Sequence, residues 1–267
     1  MRLRLTIVVA AAVVASACSS GAASPSADQS VRVDLTIYGA ASLKGILEEA
    51  KTAYSAAVLG TTLTVATDSS SALETQIEQG APADVFLSAD TTNPKKLVDA
   101  GLADGEPVVF AMNKLTIIVP SDNPAGTTSP ADLAKPGVKI IAAGDDVPIT
   151  KYATQLVGNL ANLSGYPAGF EAAYAANVVS REDNVKAVVA KIELGEGDAG
   201  IVYVTDANAS TKVATVDVPD AANVPASYAG VVVKASSHAE AARAFLAWLA
   251  GPAGQVFLAR AGFVPPT

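Results

Sequence analysis

Hydroxyl residues recur in this sequence where a predicted strand ends and a predicted helix begins. Ser42 follows the first strand candidate, and the serines at 69–71 follow the second. Polar turns at 146–150 and 181–185 lead into helical segments in the same way. A helix N-terminus presents unpaired backbone N–H groups and the positive end of the helix dipole. Four such termini around one crevice predict a binding site for a small anion.

Each of these residues also has an ordinary structural interpretation. Ser42 and the serines at 69–71 could each be only a helix N-cap, which is the commonest role of serine at that position. Asp183 is expected to cap the helix that starts at Val185, and Tyr203 ends an apolar strand in which a buried tyrosine is unremarkable. Their joint arrangement, rather than any one residue, favours a functional role.

Composition narrows the chemistry that this chain can perform. One cysteine and one histidine in 267 residues exclude zinc sites built from several thiolates or imidazoles, and they exclude a disulfide framework. The net charge is -8, and removal of Arg2 and Arg4 with a signal segment takes it two units further, to -10. Nucleic acid is therefore excluded as an electrostatic partner. Binding must depend on hydroxyls, amides and carboxylates.

The elements that position these residues alternate along the chain. Between the strand candidates lie helical segments with apolar residues three and four positions apart, which predicts an α/β fold with a mostly parallel, doubly wound sheet. The last segment, 236–263, reads as two helices divided at Gly251-Pro252. The strand candidates are 33–38, 62–67, 84–88, 115–120, 138–143 and 200–204.

The number of predicted helices and strands favours two lobes with mixed sheets over a single sheet. Lobe I would comprise 31–111 plus 206–267, and lobe II would comprise 112–205. The chain would then cross between the lobes near Met112 and again between Tyr203 and Asp206. Two such hinge strands predict a cleft that closes around a ligand.

The N-terminal residues predict export and a lipid anchor. Residues 1–17 combine two arginines, an apolar run and small residues, as a secretory signal peptide does. Residues 15–18 resemble a bacterial lipobox, with alanine at a first position where leucine or valine is usual, so Cys18 is the predicted site of lipidation, including palmitate. Residues 18–30 read as a flexible tether. The alternative is a plain secretory signal with a leftover cysteine.

Four segments together resemble a known family, the molybdate-binding proteins of molybdate ABC transporters, which are type II periplasmic-binding-protein-like. The resemblance runs from about residue 33 to residue 263. GAPADVFLSAD together with GDAGIVYVTDA is its most specific part. The four segments are YGAASL (38–43), SSSALETQIEQGAPADVFLSAD (69–90), EDNVKAVVAKIELGEGDAGIVYVTDA (182–207) and GPAGQVFLARAGF (251–263).

The resemblance implies a site for a tetrahedral oxyanion, with no catalytic residue, no metal-ion ligand and no cofactor. Matched by motif, the ligands are the hydroxyls of Ser42, Ser70 and Tyr203 and the backbone N–H groups of Ile149 and Val185. Within the serine cluster a slip of one residue would place Ser69 in the role of Ser70. Two acidic departures from the family pattern, at Asp68 and at 145–146, must point away from a bound dianion or cap a helix.

The resemblance also implies a function and partners. We expect a monomeric, lipid-anchored solute-binding protein on the extracytoplasmic face of the cell membrane, which captures molybdate and tungstate and delivers them to an ABC permease. One alternative is a binding protein for sulfate or thiosulfate. A second is a secreted serine hydrolase that uses Ser42 or Ser70 with His238 or Lys44 as base, and a third is an anchored interaction module with an incidental cleft.

Overall fold

Ten strands form the framework of residues 32–266, the part of the chain that the computed structural model describes. The predicted signal peptide and the whole predicted tether, Cys18 included, lie outside these residues. The strands are β1 (Val33–Ala40), β2 (Thr61–Asp68), β3 (Val85–Ser88), β4 (Ala103–Asn113), β5 (Leu115–Pro120), β6 (Ile140–Ala143), β7 (Val178–Glu182), β8 (Gly200–Tyr203), β9 (Val213–Val216) and β10 (Ala226–Val233).

The helices alternate with these strands as the apolar spacing predicts. Among the described residues no helix is both long and apolar enough to cross a membrane. The helices are α1 (Lys44–Ala57), α2 (Ser70–Glu78), α3 (Thr92–Asp99), α4 (Pro148–Ala161), α5 (Phe170–Asn177), α6 (Val185–Glu193), α7 (Val204–Asn208), α8 (Ala239–Ala250) and α9 (Pro252–Ala261).

The larger sheet has the strand order β2-β1-β3-β10-β4. β1 runs parallel to β2 and β3, whereas β10 runs antiparallel to β3 and β4. Leu35 and Ile37 of β1 are fully buried, and Tyr54 of α1 packs edge-on against Phe245 of α8. Because α1 and α8 cover this side, the carboxyl ends of β1 and β2 are held firmly where the hydroxyl residues follow.

Two smaller sheets form the rest of the framework. β8, β5 and β9 make an antiparallel sheet with β5 in the centre, and β6 pairs in parallel with β7. A bridge between Ile140 and Ala199 joins the two smaller sheets. All six residues of β5 are buried, as expected for a central strand that is covered on both faces.

The predicted α/β class with mixed sheets is confirmed, whereas the mostly parallel pattern holds only for part of the fold. Four strands were not predicted from the sequence, namely β4, β7, β9 and β10. Glycine at 230 interrupts the apolar run of β10, and the first half of β4 is polar because it is an exposed edge strand. Both therefore lack the apolar run or the regular alternation by which a strand is predicted.

The chain passes twice between the larger sheet and the smaller sheets. β4 passes directly into β5 at Lys114. After β8 the chain forms α7 and then β9, which pairs with β5. The return to the larger sheet therefore lies between β9 and β10. The division into lobes stays a prediction, because residues 32–266 pack as one compact unit.

Candidate functional site

A small cavity lies where the carboxyl ends of β1 and β2 face the N-termini of α4 and α6. Ser42, Ser70, Ile149, Val185 and Tyr203, the five residues singled out from the sequence, all line it. No lysine, arginine, aspartate or glutamate is among its lining residues. The remaining lining residues are Ala40, Ala41, Ser69, Ala89, Val147, Pro148 and Asn184.

Ser42 lies in a short turn of 3-10 helix between β1 and α1, and it does not cap a helix. Its Oγ is 2.9 Å from the hydroxyl oxygen of Tyr228, a fully buried residue of β10. Either hydroxyl can be the donor of this bond. When Tyr228 donates, the Ser42 proton is free to bond an anion in the cavity.

The serine cluster divides into a capping residue and a residue with a free proton. Ser69 is the N-cap of α2, and its Oγ accepts from the backbone N–H of Ala72 at 3.2 Å. Ser70 Oγ accepts instead from the backbone N–H of Ala89 at 3.0 Å. Each of these hydroxyls still has a proton to donate, but Ser69 Oγ also lies 3.3 Å from Ser71 Oγ, which can accept that proton. The geometry therefore favours Ser70 over Ser69 as the donor to a ligand.

Backbone N–H groups reach the cavity from two helix N-termini. α4 begins with Pro148, which has no N–H, so the first free donor of this helix is Ile149. α6 begins at Val185, and its N-cap is Asn184, whose Oδ1 accepts from the N–H of Ala187 at 3.1 Å. Asn184 therefore fills the capping role that the sequence suggested for Asp183. The N–H groups of Ile149 and Val185, at the start of the two helices, remain available to an anion.

Tyr203 has a hydroxyl that is buried without a partner. The residue is 1% exposed, and its hydroxyl has no hydrogen-bond partner among residues 32–266. Its ring packs edge-on against Tyr228 at a centroid distance of 5.5 Å and against Tyr152 at 6.3 Å. Burial raises the pKa of Tyr203 well above its ordinary value, so the hydroxyl stays a donor. An unpaired buried donor costs about 1 to 3 kcal/mol, which an acceptor in the cavity would recover.

The acidic departures from the family pattern are not part of the cavity lining. Asp68 Oδ1 accepts from the Ser69 N–H at 2.7 Å and from the Asn184 side-chain amide at 3.2 Å. Asp145 pairs with Arg181 at 3.0 Å on the surface, and Asp146 is exposed. None of these three carboxylates lines the cavity.

The single histidine of the chain is remote from the two serines. His238 lines a different cavity, where its Nδ1 lies 3.6 Å from Asp84 Oδ1 and 3.4 Å from Ser237 Oγ. Lys44 is exposed on the first turn of α1. The hydrolase alternative therefore lacks a base beside Ser42 or Ser70, and neither serine shows the contact that activates a nucleophile.

The site consists of hydrogen-bond donors. Three hydroxyls and the first turns of two helices face the cavity, and no cluster of three or more metal-ligating side chains occurs within residues 32–266. Helix N-termini that meet at a crevice beside the carboxyl ends of strands are typical of proteins that bind small solutes. Fold and site together define a periplasmic-binding-protein-like solute-binding protein.

Comparison with known proteins identifies the family. Residues 35–264 match the family described as bacterial extracellular solute-binding protein, and the chain belongs to this family. The molybdate-binding protein ModA of Mycobacterium tuberculosis is 34% identical over 263 residues, which cover 98% of this chain and 96% of that protein.

Two solved structures agree with this assignment. The periplasmic molybdate-binding protein of Azotobacter vinelandii is 25% identical with a TM-score of 0.73, and the match covers 87% of this chain and 100% of that one. The sulfate-binding protein SubI of Mycobacterium tuberculosis shares the fold, with a TM-score of 0.77 and 21% identity. This match covers 88% of this chain and 87% of that one. The resemblance of this sequence to molybdate-binding proteins is thus confirmed.

Several residues that shape the site were not predicted to do so. Tyr228 bonds the Ser42 hydroxyl, and Asn184 caps α6 while it contacts Asp68. Ser42 and Tyr228 are 186 positions apart in the sequence. A pair at this separation leaves no local pattern that would indicate it.

Proposed function

We propose that this protein is the molybdate-binding component of an ABC transporter and that it binds tungstate at the same site. The Tyr203 hydroxyl carries the proposal, because it is a buried donor without a partner among residues 32–266, in a cavity lined by further donors. Such a site lacks only an acceptor, and a tetrahedral oxyanion offers four. The identity to molybdate-binding relatives along nearly the whole chain supports this choice of anion.

The donor set accounts for binding without a charged side chain. Hydrogen bonds to a charged group contribute about 1.5 to 3 kcal/mol each. The three hydroxyls and the N–H groups of Ile149 and Val185 provide at least five such bonds. After the cost of association and ordering, micromolar to nanomolar affinity follows. Because the protein is strongly acidic, capture depends on these short-range donors rather than on long-range attraction.

The same donor set selects for fully deprotonated anions. Hydrogen phosphate would bring an O–H group that needs an acceptor, and the cavity lining has no carboxylate to accept it. A buried polar group without a partner is costly, so molybdate, tungstate and sulfate are favoured over hydrogen phosphate. Sulfate must then be rejected by its smaller size. The likeness in fold to a sulfate-binding protein makes a sulfate or thiosulfate carrier the second candidate.

Calorimetry of the mature domain with molybdate, tungstate, sulfate and thiosulfate tests this function. We expect tight binding of molybdate and tungstate and binding of the two sulfur oxyanions that is weaker by at least about a hundredfold, or about 2.7 kcal/mol. Preferential binding of sulfate or thiosulfate would establish the second candidate instead. No response to any oxyanion would refute a role in oxyanion transport.

The remaining parts of the proposal concern location and delivery. We propose that the mature protein is held at the extracytoplasmic face of the membrane through lipidated Cys18 and that it passes its ligand to the permease as a monomer. A flexible tether between Cys18 and β1 would let the domain reach the permease without leaving the membrane. The membership of the family of extracellular solute-binding proteins supports this location.

A further inference from the structure

A hydrogen bond between two side chains joins the opposite sides of the cavity. Asn184 Nδ2 donates to Asp68 Oδ1 at 3.2 Å, although the two residues are 116 positions apart. Asp68 is the last residue of β2 in the larger sheet. Asn184 is the N-cap of α6, which packs against β5, β6 and β8 of the smaller sheets. This bond therefore connects elements that are otherwise held by different sheets.

Capping of α2 does not explain the carboxylate of Asp68. The capping role is already filled by Ser69, whose hydroxyl accepts from Ala72. Asp68 is half-buried, and its two hydrogen-bond donors, the Ser69 N–H and the Asn184 amide, are neutral. No lysine, arginine or histidine among residues 32–266 forms an ion pair with it. A carboxylate this close to a site built for an anion carries an electrostatic cost. Its presence there requires a separate explanation.

The contacts of Asn184 show what the carboxylate holds in place. Its Oδ1 accepts from the N–H of Ala187, and its Nδ2 donates to Asp68, so both ends of the amide are fixed. Asp68 in turn accepts from the N–H of Ser69, the residue that caps α2. One carboxylate thus ties the N-terminus of α2 to the N-terminus of α6. These two termini carry Ser70 and Val185, which line the cavity from opposite sides.

We propose that Asp68 is a positioning residue that latches the cavity shut through Asn184. The latch, named here for the side chains of Asp68 and Asn184, stabilises the closed arrangement of α2 and α6 before an anion is bound and slows its release afterwards. The second effect rests on the proposed function, whereas the first concerns the protein without ligand. The bond to a carboxylate is of the charge-assisted kind, which is the stronger class of hydrogen bond.

A set of matched variants tests the latch. Asp68→Ala removes the acceptor, Asp68→Asn keeps an acceptor oxygen for Asn184, and Asp217→Ala removes one exposed carboxylate that does not line the cavity. Asn184→Asp keeps the cap of α6 but cannot donate to Asp68. The double variant Asp68→Asn with Asn184→Asp restores the bond with donor and acceptor exchanged.

Small-angle X-ray scattering of the ligand-free variants measures the radius of gyration, which increases when the cavity opens. Stopped-flow displacement measures the rate at which molybdate is released. We expect Asp68→Ala and Asn184→Asp to have a larger radius of gyration than the wild type, and Asp68→Ala to release molybdate at least about tenfold faster. Asp217→Ala should resemble the wild type in both measurements, and Asp68→Asn should lie closer to the wild type than to Asp68→Ala. The exchanged double variant should resemble the wild type in radius of gyration, which is the measurement used for it because a carboxylate at position 184 lines the cavity and itself repels an anion. Circular dichroism melts verify that each variant is folded.

Two results would overturn the latch. One is that Asp68→Ala matches Asp217→Ala in both radius and release rate. The other is that the exchanged double variant is as open as Asn184→Asp alone, which would reduce Asp68 to a local backbone contact. Absence of molybdate binding to the wild type would refute the proposed function, and the scattering of ligand-free variants would still decide on the latch.

Discussion

Replacement of Tyr203 by phenylalanine should have opposite effects on the stability of the ligand-free protein and on its affinity for molybdate. The substitution keeps the ring, and with it the edge-on packing against Tyr228 and Tyr152, and deletes only the hydroxyl. In the ligand-free protein that hydroxyl is buried without a partner among the described residues. Its removal therefore relieves a cost of about 1 to 3 kcal/mol instead of breaking a contact.

The two consequences of Tyr203→Phe have opposite signs. Without ligand, the melting temperature should not fall, and it should rise by about 2 to 4 °C for each kcal/mol relieved in a domain of this size. With molybdate, the loss of one charge-assisted bond should weaken binding by about 1.5 to 3 kcal/mol, or roughly tenfold to a hundredfold. Most of that change should appear in the dissociation rate, as is usual among variants of one binding site.

Calorimetry, stopped-flow dissociation and thermal melts of the same preparations measure these effects. Tyr152→Phe is the matched control, because Tyr152 is also buried but does not line the cavity, and its hydroxyl makes only a long bond of 3.5 Å to the Ser227 carbonyl. We expect its molybdate affinity to stay within about threefold of the parent. The reasoning is refuted if Tyr203→Phe binds as tightly as the control, or if it melts well below the parent without ligand.

Four further predictions follow from the same geometry. Changing Ser42 and Ser70 together to alanine should weaken molybdate binding by about 3 to 6 kcal/mol in calorimetry with the fold intact, and an affinity within about threefold of the parent would contradict their role. Ser69→Ala should instead lower the free energy of unfolding by about 0.5 to 2 kcal/mol in denaturant titrations, since it removes a helix cap. If Ser69→Ala lost more molybdate affinity than Ser70→Ala does, Ser69 and not Ser70 would be the ligand. Burial raises the pKa of Tyr203 well above its ordinary value, so its hydroxyl stays protonated. The affinity for molybdate should therefore be constant between about pH 7 and 9. A decline in affinity across that range would show that a donor is titrating. Cys18→Ala should move the protein from the membrane fraction to the soluble fraction, and a parent protein found soluble and unmodified would refute the anchor.

Local patterns indicated an anion site, and the family resemblance supplied its residues. Serines and polar turns before helices are recognisable within five or six residues, and the five residues that the resemblance implied line one cavity. Non-local features were not accessible in this way. The antiparallel insertion of β10 between β3 and β4, and the bond from Asn184 to Asp68, depend on residues that are distant in the chain. Adjacent polar residues also compete for one role, as Asp183 and Asn184 did for the cap of α6.

The three hydroxyls of the cavity differ in how they are held before a ligand arrives. Ser42 Oγ is held 2.9 Å from the Tyr228 hydroxyl, and Ser70 Oγ accepts from the N–H of Ala89, so both oxygens are fixed in position in advance. An oriented donor loses little entropy on binding. Tyr203 has no such partner among the described residues and gains its first hydrogen bond from the ligand. The serines therefore set the position of the anion, whereas Tyr203 contributes the relief of an unpaired group, and this relief is available only while the anion is bound.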